Sequence, residues 1–220
     1  IEPNIRATTQ EIYEGLIATS QNSWPSLKFD ALAINDILAP FFSAGFYYKT
    51  FMWPPRFWEA LYEPIIRRAA GLGKLEAKPD VDNYDQNFAF CDLLIIGGGP
   101  SGLFSALLAG RAGLDVILVD ENPKLGGRLL FENTIIDGNH CSDWIQSCLG
   151  ELKSLENVRL LSRATVFGIY DQGTFGVLER ISRHIPDSES DTVLDCFWRI
   201  VASRSILASG AIERHIAFGN

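Results

Sequence analysis

The chain has 220 residues, 47% of them hydrophobic, and a formal net charge of −8. That is enough apolar material for one large domain, or one domain with an extension. The acidic balance argues against a nucleic-acid partner, which calls for clustered Lys and Arg. No apolar run approaches the roughly 20 residues that span a bilayer and no signal-like segment opens the chain, so a cytoplasmic protein without a membrane partner is expected. Cys91, Cys141, Cys148 and Cys196 show neither CxxC pairing nor metal spacing and read as buried free thiols. His140, His184 and His215 lie far apart, and no metal site is expected.

In chain order, Ile12 and Leu16 fall at helical spacing and predict a helix over Thr9–Thr19. An irregular stretch, Ser20–Ser26, follows. Between Phe41 and Tyr62 stand ten aromatic residues, a density that seldom faces water. They read as an arm wrapped on the next domain, or as a surface that docks another subunit or domain. Phe57–Gly71 reads as a helix with Trp58, Leu61, Ile65 and Ile66 on its buried side, ended by Gly71 and Gly73. The polar stretch Lys74–Asn87 reads as a linker. Residues 1–88 thus form an aromatic-rich helical and irregular arm, and residues 89–220 a domain of another kind.

That domain opens on the apolar run Leu93–Ile96, followed by the turn Gly97-Gly98-Gly99-Pro100-Ser101-Gly102. A helix over Leu103–Ala112, closed by Gly113, and a strand over Val116–Val119 come next, and Asp120 ends that strand. Strand, glycine turn, helix, strand and acid in this order are the parts of a dinucleotide-binding unit. Gly97 permits the tight turn, Gly99 the approach of backbone amides to a pyrophosphate, and Gly102 close packing of helix on strand. Amides near Pro100, Ser101 and Gly102 at the helix N-terminus face the phosphates, with the Ser101 hydroxyl as a further donor. Asp120 accepts hydrogen bonds from the adenosine ribose, and its charge repels a 2′-phosphate.

Asn122–Leu130 reads as a loop carrying Gly126-Gly127-Arg128. The glycine pair lets the loop fold back over the nucleotide, where the Arg128 guanidinium meets a phosphate or ribose oxygen; a surface salt bridge is the competing reading. Ser142 is expected to cap a helix running to Leu155, followed by a parallel strand over Val158–Leu161. Strands over Thr165–Tyr170, Thr174–Ile181 and Cys196–Ala202 form an antiparallel meander, the first two joined by a turn at Asp171-Gln172-Gly173. A separate last strand, Ser205–Ala208, brings Ser209 and Gly210 to the nucleotide, or simply ends in a tight turn. Glu213-Arg214 reads as a surface pair, and Arg6, Lys49 and Arg67-Arg68 as solvated charge. No nucleophile–base spacing or paired carboxylate marks a catalytic residue.

This order resembles the two-dinucleotide-binding-domain flavoproteins, whose strand-ending Ala-Thr-Gly stands here as Ala208-Ser209-Gly210. The fold class implied is α/β, a Rossmann-like FAD/NAD(P)-binding domain with a parallel sheet and an antiparallel meander. Several segments point more narrowly. Arg6-Ala7-Thr8-Thr9, Trp24-Pro25-Ser26-Leu27, Lys49-Thr50-Phe51-Met52-Trp53-Pro54, Ile66-Arg67-Arg68-Ala69-Ala70-Gly71, Val119-Asp120-Glu121 and Gly210-Ala211-Ile212-Glu213-Arg214 are similar to the α subunit of heterotetrameric sarcosine oxidase. Ser209 for Thr, and His215 where that family commonly has Pro, are departures.

The resemblance implies that the chain is an internal piece of a longer polypeptide, following a ferredoxin-like domain and preceding a folate-binding one. It implies NAD on this chain, FAD on a β subunit, FMN at the interface of the two, and further γ and δ subunits. The assembly would demethylate sarcosine to glycine, pass the one-carbon unit to tetrahydrofolate or release formaldehyde, and form hydrogen peroxide. Glu121 and Asn122 would lie beside the adenosine, or form a solvated strand end. Val166 would meet the adenine edge through its main chain, or be an ordinary core valine. Opine oxidase and hydrogen cyanide synthase subunits share the same features, and on that reading the nucleotide is FAD. A non-redox nucleotide-binding module is the third reading.

Overall fold

The computed structural model describes residues 11–20, 23–41, 45, 53–70, 82–185 and 192–211. The chain divides into two units, Ile1–Asp80 and Val81–Asn220.

In the first unit the helix expected over Thr9–Thr19 does not form across its described part. Residues 11–20 are irregular with a turn at Gly15, whose φ of +83° no helix accommodates, and Ile12 and Ile17 are exposed. Asp30 organises the next stretch: its Oδ1 accepts from the backbone N–H groups of Trp24 and Leu32. A single helical turn follows, α1 (Ile34–Leu38). The helix predicted over Phe57–Gly71 is present as a wide turn, Trp58–Tyr62, running into α2 (Glu63–Ala69) with Pro64 in its first turn. Its expected burial is corrected. Leu61 and Ile65 are exposed and Trp58 and Ile66 only half-buried, and no described residue of this unit is buried. Most of the aromatic run (42–44, 46–52), both helix-ending glycines, Arg6, residues 74–81 and Glu213-Arg214 lie outside the described residues.

The second unit is built on a six-stranded sheet in the order β5-β2-β1-β8-β7-β6. β1 (Asn83–Ile96) lies in parallel between β2 (Val116–Val119) and β8 (Val193–Leu207), and β5 (Val158–Leu161) extends the parallel half beyond β2. β6 (Ala164–Tyr170) and β7 (Thr174–Arg180) form the antiparallel meander with β8. Two expectations change here. The first five residues of β1 come from the stretch read as linker: polar Asn83–Asn87 pair with β8 and so join the sheet through backbone bonds. The strands expected at Cys196–Ala202 and Ser205–Ala208 are one, since β1 pairs with the chain on both sides of Ser203, Cys91 with Ala202 and Leu93 with Arg204.

Alternation dictates the layers. On one face Ile95, Val116 and Leu118 pack against α3 (Pro100–Arg111) and α4 (Cys141–Ser154) through Leu103, Ala106, Leu107, Cys148 and Leu152. On the other, Leu94, Ile117, Val119 and Leu161 meet Phe175, Val177 and Ile200 of the meander. Strands covered on both sides read as unbroken apolar runs, which is what Leu93–Ile96 and Val116–Val119 are. α3 ends as predicted: Gly113 N–H bonds to Gly110 O (3.0 Å) and Leu114 N–H to Ala109 O (3.1 Å), a double closure that satisfies its last carbonyls. α4 is capped by His140 rather than Ser142; its ring Nδ1 accepts from Ser142 N–H. All four cysteines are free and buried. No helix of the described residues is long and apolar enough to cross a membrane.

Candidate functional site

The glycine turn joins β1 to α3 at the carboxyl end of the parallel strands, between β2 and β8, the position where open α/β sheets bind ligands. Gly97 has φ +109°, and a Cβ on it would lie 2.4 Å from Ala208 O, so the turn passes directly against the end of β8. A Cβ on Gly102 would lie 1.8 Å from Gly97 O, so helix and turn touch through backbone alone. Gly99 differs: it caps α3 with ordinary extended geometry, and a Cβ there would meet nothing within 4 Å. α3 has no side-chain cap, and Pro100 stands in its first turn. The N–H groups of Ser101 and Gly102 therefore reach no intrahelical acceptor.

The Gly126-Gly127 loop lies on this turn. Gly126 N–H bonds to Gly98 O (2.8 Å), and a Cβ on Gly127 would fall 2.8 Å from Gly99 Cα. Asp120 holds the turn from below. Its Oδ2 accepts from Gly98 N–H (2.6 Å), and its Oδ1 from the backbone and side-chain N–H groups of Asn122 (2.8 and 3.0 Å). Most of the acceptor capacity expected for a ribose is thus already used within the chain. Glu121, next along, is exposed at the rim. The Asp120–Gly98 bond was not anticipated, although an acid ending the strand beside a turn rich in N–H groups is its signal.

Together these elements enclose a cleft of about 1020 Å³. Gly97, Gly99, Pro100, Ser101, Asp120, Glu121, Asn122, Gly127, Arg128, Val166, Ser209 and Gly210 all border it, whereas Gly102 is buried beneath. Ser209 and Gly210 follow β8, whose course is secured by Ala208 N–H bonding to Ile96 O (2.7 Å). Val166 is half-buried on β6 opposite Val177. Arg128 is mostly exposed and pairs with Glu132, Nε to Oε1 at 2.7 Å.

Glu132, Thr134 and Ile136 also border the cleft and were not expected there. They belong to a small hairpin and its approach, β3 (Ile135–Ile136) and β4 (Asn139–His140). The signal was present: Asp137-Gly138 takes positive φ at both positions (49° and 80°), the turn an Asp-Gly pair favours between short strands. The approach is fastened to the start of α4. Cys141 Sγ donates to Glu132 O (3.1 Å), Cys141 N–H to Thr134 O (3.0 Å), and His140 Nε2 lies 2.5 Å from Asn133 Oδ1. Because His140 Nδ1 accepts, the ring proton sits on Nε2, which donates to Asn133.

A second hollow, about 520 Å³, is bordered by Phe90, Asp92, Asp115, Gln172 and Ser203 at the amino end of β2. Asp92 Oδ2 already accepts from Asp115 N–H there, and no feature of this hollow matches the amide-lined turn. Burial pushes the neighbouring Cys91 thiol up to about 11, so it stays protonated.

Residues 92–169 match the FAD dependent oxidoreductase family. The chain is 55% identical over 99% of its length to the sarcosine oxidase alpha subunit of Rhizobium meliloti (strain 1021), of which it covers 22%. It is 37% identical over 69% of its length to the Corynebacterium sp. (strain U-96) protein of the same name, covering 16% of it. An opine oxidase polypeptide of Agrobacterium tumefaciens (strain Ach5) is 31% identical over 57% of the chain, which covers 25% of that protein. The chain thus spans about a quarter or less of the length of these relatives.

Proposed function

We propose that this chain, a homologue of a segment of the sarcosine oxidase alpha subunit with an FAD-type oxidoreductase domain, binds NAD in the cleft at the glycine turn. The observation that carries the reading is the open space at Gly99 beside the uncapped amides of Ser101 and Gly102. Unpaired donors at a helix N-terminus, with room for an anion against them, fit a diphosphate. Ser101 adds its hydroxyl. Arg128 brings a guanidinium to the same mouth, and Gly127 lets that loop lie close enough to serve. Asp120 keeps the amides aimed by holding Gly98 and turns its remaining acceptor capacity to the ribose, with the exposed Glu121 beside the adenosine. Asn122, Val166, Ser209 and Gly210 line the adenosine and the path out of the cleft.

When bound, the nucleotide supplies a two-electron redox couple; the residues of this chain bind and orient it. In the whole protein the reading is an α subunit working with β, γ and δ subunits in an assembly that also carries FAD and FMN. That assembly oxidises sarcosine to glycine, transfers the one-carbon unit to tetrahydrofolate or releases formaldehyde, and reduces oxygen to hydrogen peroxide. The match to the FAD dependent oxidoreductase family favours a second reading, FAD in this same cleft.

One experiment separates the two. The intact protein is purified with Gly99 and with Gly99→Leu, denatured, and its released nucleotides are separated and counted. Loss of NAD with FAD and FMN retained supports the proposal. Loss of FAD alone assigns the cleft to FAD. Unchanged nucleotide content removes both readings.

A further inference from the structure

Arg128 is the one basic side chain bordering the cleft among the described residues, against the carboxylates of Asp120, Glu121 and Glu132. A diphosphate approaching the turn therefore depends on where that guanidinium points. Arg128 is exposed (75%) and long, and left alone it would sample many rotamers, most of them facing water. Two features limit it. Its backbone follows Gly127, pressed against Gly99, which places the side chain within reach of the helix N-terminus. Its Nε is taken by Glu132 Oε1, and Glu132 is the more enclosed of the two, at 32% exposure.

Glu132 in turn sits in a segment fastened at three successive residues, two through backbone carbonyls and one through a side chain. Its own carbonyl accepts from Cys141 Sγ, the Asn133 side chain accepts from His140, and the Thr134 carbonyl accepts from Cys141 N–H. The backbone that carries the carboxylate is therefore held in place. A guanidinium carries five N–H donors, more than one carboxylate can occupy, so donors remain for a phosphate. Ordering a side chain before the ligand arrives removes part of the cost of binding.

We infer that Glu132 is a positioning residue for the dinucleotide: it holds Arg128 through Nε so that the guanidinium faces the diphosphate at the glycine turn. This rests on the NAD reading above. Glu132 acts through Arg128 alone, which makes the inference open to a double-mutant cycle.

The measurement is NAD affinity of the intact protein stripped of nucleotide, for wild type, Glu132→Ala, Glu132→Gln, Arg128→Ala and the Arg128→Ala/Glu132→Ala double variant, with thermal midpoints as a control on folding. Arg128→Ala weakens binding about tenfold or more, as loss of a charge-assisted contact does. Glu132→Ala weakens it about threefold to fivefold, the scale of an exposed ion pair. Glu132→Gln, which keeps an oxygen for Nε, stays within about twofold of wild type, and the double variant binds no more weakly than Arg128→Ala. A Glu132→Ala protein that binds like wild type overturns the inference, as does a Glu132→Ala loss that persists in the Arg128→Ala background. Those outcomes leave the nucleotide reading standing; a wild-type protein that takes up no NAD would overturn both.

Discussion

The two units of this chain use apolar residues in opposite ways. In Val81–Asn220 alternation on the strands and the inward faces of α3 and α4 bury side chains completely: Leu94, Ile95, Leu103 and Leu118 are all 0% exposed. In Ile1–Asp80 equally apolar residues lie open among the described ones, with Ile37 at 76%, Trp53 at 81% and Ile65 at 58%. Composition alone does not make a core. Layers do, because a helix or strand buries its apolar face only where another element presents one.

That contrast can be broken at its strongest point. Gly102→Val forces a side chain into Gly97 O, so helix and turn must separate; a loss of about 4 kcal/mol or more is expected in urea unfolding, or no folded protein. A variant as stable as wild type would mean that the turn is not built as described. Next come paired core and surface truncations. Leu94→Ala leaves a hole in the cluster it shares with Ile117, Val177 and Ile200 and costs about 2–5 kcal/mol, while Ile65→Ala shifts stability by no more than about 0.5 kcal/mol. Equal losses at the two sites would erase the difference between the units.

The thiols sharpen the same point. Burial raises Cys91, Cys148 and Cys196 above the ordinary thiol range, and Cys141 is 1% exposed and hydrogen-bonded to carbonyls. All four should resist a thiol reagent in native buffer and react together in denaturant. Rapid reaction of any one of them in the folded protein would show a core looser than this.

The smallest effect lies on the surface between α3 and α4. Arg111 and Glu151 form a two-pronged pair (2.6 and 2.8 Å), and the hydrogen bond from Arg111 holds the Glu151 carboxyl below its ordinary range. A lowered folded value means the pair stabilises above the unfolded carboxyl's titration and loses that contribution as pH falls through the folded one. Wild type and Arg111→Ala should therefore differ slightly in melting temperature near neutrality and converge in acid. A gap that persists in acid would assign the effect to packing.

The parallel strands, α3 and the meander were legible in the sequence because each is bounded by strong punctuation: Gly97, Gly113, Asp171-Gln172-Gly173. The lower half of β1 was not, since Asn83–Asn87 looks like linker until Val193–Trp198, more than a hundred positions away, pairs with it. The junction inside β8 failed for a related reason. The polar stretch Ser203-Arg204-Ser205 reads as a break, yet β1 pairs on both sides of it. Over Thr9–Thr19 the spacing of Ile12 and Leu16 looks helical, but among the described residues Ile12 and Ile17 are exposed, and a short helix without packing has little to sustain it.

In the cleft, Gly97, Gly99, Ser101, Arg128 and Gly210 could be found from sequence because motif order alone brings them together. Of the hairpin only the Asp137-Gly138 turn could be read there, and Glu132 with its contacts could not. Its place depends on contacts with His140 and Cys141 that only the folded chain creates. Asp120 lies between these cases, recognised as an acid at the strand end while its bond to Gly98 went unseen.

The most direct test is an experimental structure of the intact protein with NAD bound. The diphosphate should lie within about 3.2 Å of the Ser101 amide nitrogen, with the space beside Gly99 filled and Arg128 turned toward it. A nucleotide seated elsewhere, with water against that amide, would contradict the account.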